Sequence, residues 1–191
     1  MPEQSAVIVN AKSSLGPISF GTMTLEGRAE FAMSGVDLES AVPVSAIMKI
    51  PLISLESDNK LYDSELRRRL DSRRYPLITV QMHAARAQGG GRFEAEGDLT
   101  IHATTRRLTG IVELAMWDEN TMIVTGSEDV DMREFDIDLP SILVFKIYPD
   151  VNVQFRLTAT RVRPGGIRRA DRGIPSRILR RLGDLRPGRA E

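Results

Sequence analysis

From Arg92 to His102 the chain alternates without a break. Arg92, Glu94, Glu96, Asp98, Thr100 and His102 are polar, while Phe93, Ala95, Gly97, Leu99 and Ile101 between them are not. A period of two is the signature of a strand with one face on a core and the other on water. The pattern recurs from Val151 to Ala159, where Val151, Val153, Phe155, Leu157 and Ala159 alternate with Asn152, Gln154, Arg156 and Thr158. Leu25, Gly27, Ala29, Phe31 and Met33 form a third inward set. Val80, Met82 and Ala84 form a fourth, and Val112, Leu114 and Met116 a fifth.

Two further stretches, Ala41 to Leu55 and Thr121 to Met132, alternate less cleanly. Pro43 and Pro51 predict an edge strand or bends in the first. A strand around Ala6 to Asn10 brings the expectation to about eight strands, separated by breakers such as Gly89-Gly90-Gly91 and Asp118-Glu119-Asn120. Residues 58–72 depart from this period. Leu61, Leu66 and Leu70 have near-helical spacing, Asp58 or Asn59 can cap, and Tyr75-Pro76 supplies the stop. The predicted architecture is all-β: an eight-stranded antiparallel barrel with one inserted helix. Such an interior either fills with side chains or holds one small ligand. Periodicity leaves both open.

Charge divides the chain in two. Residues 161–191 carry ten arginines against Asp171, Asp184 and Glu191, a net of +7, and the remaining 160 residues carry −7. This predicts a barrel domain over residues 1–162 and a basic tail over residues 163–191. Pro175 and the leucines and isoleucine at 178, 179, 182 and 185 predict a short amphipathic helix over residues 175–185. Such a helix suits an anionic membrane surface, and equally suits docking on a protein.

Composition removes several chemistries. Without cysteine there are no disulfides, thiolate nucleophiles or iron–sulfur clusters. His83 and His102 both fall on predicted outer faces, at no metal-ligand spacing, and read as exposed or hydrogen-bonded side chains. The acids Glu128, Asp129, Asp131, Glu134, Asp136 and Asp138 lack the spacing and glycine of a calcium loop and read as a solvated face. The basic runs Arg67-Arg68-Arg69 and Thr104-Thr105-Arg106-Arg107 lack interleaved stacking aromatics, which disfavours nucleic acid. No metal, cofactor or catalytic constellation is expected, and the chain reads as a non-enzyme. The absence of an apolar leader or spanning segment predicts a cytoplasmic protein.

Three stretches resemble the YceI-like family of lipocalin-like, polyisoprenoid-binding proteins. They are Asn59 to Leu66 followed by Asp71 to Thr79, then Gly97 to Thr105, and then Asp131 to Ile137. Within them Tyr62 and Glu65 replace basic or histidine residues common in that helix, and Asp136 stands where glycine is usual. The resemblance implies a barrel holding a long apolar chain, often as a homodimer, and binding without catalysis. It assigns the cavity wall to inward residues, here Phe31, Met48, Met82, Leu99, Ile101, Val112, Leu114, Met116, Val153 and Phe155. The expected occupant is an isoprenoid or fatty-acyl lipid. The competing expectation is a filled core, with the barrel serving as an interaction module through its basic tail or a dimer surface.

Overall fold

The computed structural model describes residues 4–32, 42–137, 141–142 and 145–162. The predicted tail, residues 163–191 with its helix at 175–185, lies outside the described residues, as do Met33 and Asp138. The order of elements is β1 (Ala6–Ser13), β2 (Gly16–Thr22), β3 (Glu26–Ala32), β4 (Val42–Pro51), α1 (Lys60–Arg69), β5 (Leu77–Gly89), β6 (Arg92–Ile101), β7 (Thr104–Asp118), β8 (Thr121–Asp131), β9 (Ser141–Ile142) and β10 (Phe145–Thr160). A 3₁₀ turn, Leu52–Ser54, follows β4, and a second, Met132–Phe135, follows β8.

Nine strands form one curled antiparallel sheet in the order β2-β1-β10-β8-β7-β6-β5-β4-β3, and β9 pairs only with β10. The expected closed eight-stranded barrel is therefore corrected to a lipocalin-like curl that does not fully close. Its end strands, β2 and β3, adjoin in sequence but share no ladder among the described residues. The outer edge of β2 is used otherwise. Gly21 N–H donates to Glu56 O at 2.8 Å, and Glu56 N–H donates to Gly21 O at 3.1 Å. Pro17 has no N–H to offer.

Bulges explain where alternation looked weak. Glu30 pairs with Ser45 but Phe31 pairs with Pro43, leaving Val44 as an extra residue. Inward positions on β4 are therefore three residues apart at that point, which blurs the period. The strand is internal, not an edge, because it pairs with β5 from Ala46 to Pro51. On β5 the extra residue is His83, since Met82 pairs with Gly97 and Ala84 with Glu96. Ala84, expected inward, thus shares the outer face, and Ala85 opposite Ala95 takes its place.

In α1 the Asn59 side chain accepts from Leu61 N–H at 2.9 Å, as a cap should. Leu66 and Leu70 pack on the core while Leu61 is exposed. The buried anchor is Asp63, which accepts from both the N–H and the hydroxyl of Ser57 at 2.7 Å. The helix ends before Pro76. Asp71 takes a left-handed φ of 42°, Ser72 N–H bonds Arg67 O and Asp71 N–H bonds Arg68 O, the paired bonds of a Schellman stop.

The β6–β7 hairpin turns through His102 and Ala103, with φ of 52° and 63°. Two consecutive left-handed residues define the tight turn that matches strand twist. Alanine has a Cβ that disfavours this region, so Ala103→Gly is expected to stabilise the protein by about 0.5–1 kcal/mol. A rise of a few degrees in the thermal midpoint would register it. An unchanged or lower midpoint would count against this turn geometry.

Candidate functional site

Two clusters of buried side chains fill the end of the curl where α1 packs. One gathers Ala11, Leu52, Leu70, Leu99, Ile101, Val130, Phe135, Ile137 and Val151, and the other Val7, Ile18, Phe20, Ile50 and Leu55. Elsewhere along the inner face the side chains are smaller. Ala29, Ala46, Ala95, Gly97, Gly110 and Gly27 stand where larger side chains would meet across the interior. The result is a cavity of about 510 Å³, within the range of small-molecule sites. Its inner wall is almost entirely apolar.

Of the ten wall positions expected from sequence, Phe31, Met48, Met82, Leu99, Ile101, Val112, Leu114, Val153 and Phe155 line this cavity. Met116 does not. It is the last inward position before the β7–β8 hairpin and is paired with buried Met122. Leu99 and Ile101 belong also to the filled end, where they are 8% and 6% exposed. Nine of the fourteen residues in the two buried clusters line the cavity as well, so packed core and cavity wall are continuous.

Sequence reasoning missed several lining residues. Phe20 comes from β2, whose short Ile18, Phe20 and Thr22 alternation follows Gly-Pro and was not read as a strand. Leu66 and Leu70 reach the cavity from α1. Gly97 is more than filler: a Cβ there would stand 2.5 Å from the Gln81 carbonyl oxygen and 3.0 Å from Met82 Cα. Only glycine allows β5 and β6 this approach.

Both histidines lie off the cavity. His83 Nε2 is 2.7 Å from Asp98 Oδ2, and Arg107 donates to Asp98 at 2.8 Å and to Glu96 at 2.7 Å. The bonds from His83 and then Arg107 hold the Asp98 carboxyl below the usual carboxylate range. His102 meets the Tyr75 ring edge-on at 4.7 Å. On α1, Arg68 and Arg69 bond Glu65, whose pKa falls from 4.5 to about 2, chiefly through Arg68.

The acidic run disperses. Asp131 is tied to Arg133, Asp129 accepts from Asn152 and Asp136 from Thr104. Asp136 itself is left-handed, at φ 55°, a conformation short polar residues tolerate. Glu128, expected on the solvated face, instead lines the cavity. No group of three or more histidine, aspartate or glutamate side chains among the described residues is placed to hold a metal ion.

A curled antiparallel sheet with one helix packed on it and an apolar hollow along its inner face is the architecture of lipocalin-like binding proteins. The YceI-like domain matches residues 3–159, and the chain belongs to that family. Among solved structures it is similar to BcnA of Burkholderia cenocepacia, with a TM-score of 0.71 and 22% identity over 82% of this chain and 96% of that one. It is similar also to a polyisoprenoid binding domain from Saccharophagus degradans implicated in plant cell wall breakdown. That likeness has a TM-score of 0.65 and 12% identity, covering 82% of this chain and 94% of that domain. The Campylobacter jejuni YCEI protein gives a TM-score of 0.57 at 14% identity, covering 72% and 82%. Comparison with curated protein sequences returns no match.

Proposed function

We propose that the protein is a non-catalytic carrier or sequestering protein that takes up a long apolar chain, an isoprenoid or similar lipid. The observation that carries this is the hollow itself: about 510 Å³ bounded by apolar side chains and kept clear by glycine and alanine. Membership of the YceI-like family and the fold shared with a polyisoprenoid binding domain support it. The driving force is burial. Each methylene withdrawn from water contributes about 0.8 kcal/mol, so a prenyl or acyl chain needs few polar contacts to be held. Flexible Met48 and Met82 suit the wall to a chain without fixed shape.

The test is native mass spectrometry of the purified protein, followed by solvent extraction and identification of what is released. A stoichiometric isoprenoid or acyl adduct is the expected result, and the same spectrum reports whether the protein is a homodimer. A mass that stays that of the bare polypeptide after incubation with prenyl and acyl lipids would overturn the carrier reading. No helix among the described residues is long and apolar enough to cross a membrane. Contact of the basic tail with anionic lipid remains part of the proposal, checked by sedimentation with and without anionic vesicles.

A further inference from the structure

Among the described residues, one charged side chain of the cavity lining is directed inward. Glu128 pairs with Val153 across β8 and β10, and so shares the inner face. The other charged residues along the lining are turned away. Glu96 and Asp98 bond Arg107 on the outer face, and Arg28 is in phase with Ile47, Gln81 and Asp98. Arg106 shares the inner phase of β7, but it pairs with Leu99 toward α1, donates to Thr105 O and does not line the cavity.

Glu128 lies across Gly110, where a Cβ would collide with its carboxylate. Gly110 and its partner Ala95 leave room beside it. The carboxyl has no hydrogen-bond or ion-pair partner among the described residues. Burial, and then the charge of Asp129, push its pKa above the usual carboxylate range. A half-buried acid in an apolar wall without a partner is costly unless something supplies one.

We propose that Glu128 is the polar contact of the cavity, selecting an apolar molecule that carries a basic amine over one that carries an acid. This rests on the cavity being the binding site and names the headgroup it takes. An ammonium beside Glu128 restores the compensation that the wall lacks. A carboxylate or phosphate in the same place meets a like charge in a medium of low dielectric, with no inward-facing cation among the described lining residues to offset it. An alcohol, which can donate a hydrogen bond but carries no charge, falls between.

The experiment displaces the neutral fluorophore N-phenylnaphthylamine with decylamine, decanol and decanoate at neutral pH, from the wild type and from Glu128→Gln. In the wild type, decylamine is expected to compete at least about tenfold better than decanoate, the discrimination one buried charge contact can supply. In Glu128→Gln the two are expected to converge to within about threefold, each read against that variant's own fluorophore affinity. Glu128→Leu, neutral and of similar bulk, gives the same comparison if the amide variant does not melt cooperatively. An equal preference in wild type and variant overturns the proposal while leaving the cavity reading intact. Failure of the fluorophore to bind the wild type overturns both.

Discussion

An Ala95→Trp variant is expected to fold normally and to lose at least about tenfold in affinity for any apolar chain bound in the interior. Ala95 lies between Ala85 on β5 and Gly110 on β7, three small residues side by side on the inner face. An indole placed there projects into the hollow and occupies the volume that an acyl or prenyl chain would use. The stability change should stay within about 2 kcal/mol, because the ring enters existing space and does not overpack a filled core. Fluorophore titration and a urea melt of the same sample separate the two effects. Unchanged affinity in a cooperatively folded variant would place the binding site elsewhere.

Phe135→Ala should act mainly on stability, costing about 3–5 kcal/mol, since Phe135 itself does not line the cavity. Phe135 is 0% exposed, in the 3₁₀ turn after β8, and packs with Leu52, Leu70, Val130 and Val151 at the end covered by α1. Removing its ring leaves a hole bounded by several elements that cannot all collapse into it. Domains of this size hold only about 5–15 kcal/mol in total, so the variant should melt far below the wild type. A loss below about 1 kcal/mol would show that Phe135 does not sit in a rigidly packed core.

How much of this was legible in the residues depended on whether a strand kept its period. β6, inside the eleven-position run from Arg92 to His102, and β10 from Val151 onward were readable because each has one wet and one dry face throughout. β4 was blurred by the bulge at Val44, and Ala84 was assigned to the wrong face because His83 is an extra residue in its ladder. A bulge is set by the partner strand, so a single strand's pattern cannot disclose it. Glu128 was grouped with acids that do meet solvent, for a similar reason. The neighbouring Met122 and Ile123 are both buried, which hides the phase of β8 until its pairing with β10 is known.

By itself the sequence determined the all-β class, a helix with Asp58 or Asn59 as its cap, the acidic body and basic tail, and the inward face of the clearly alternating strands. Each of these follows from local chemistry: side-chain period, capping groups and net charge. The tertiary structure decided that the sheet curls without closing, that the edge of β2 bonds Glu56, and that an apolar hollow stays open beside the packed core. It also decided that a carboxylate faces inward opposite Val153. These depend on register and on the summed volumes of side chains from distant strands. Neither quantity exists until β1 and β10, from opposite ends of the domain, have paired.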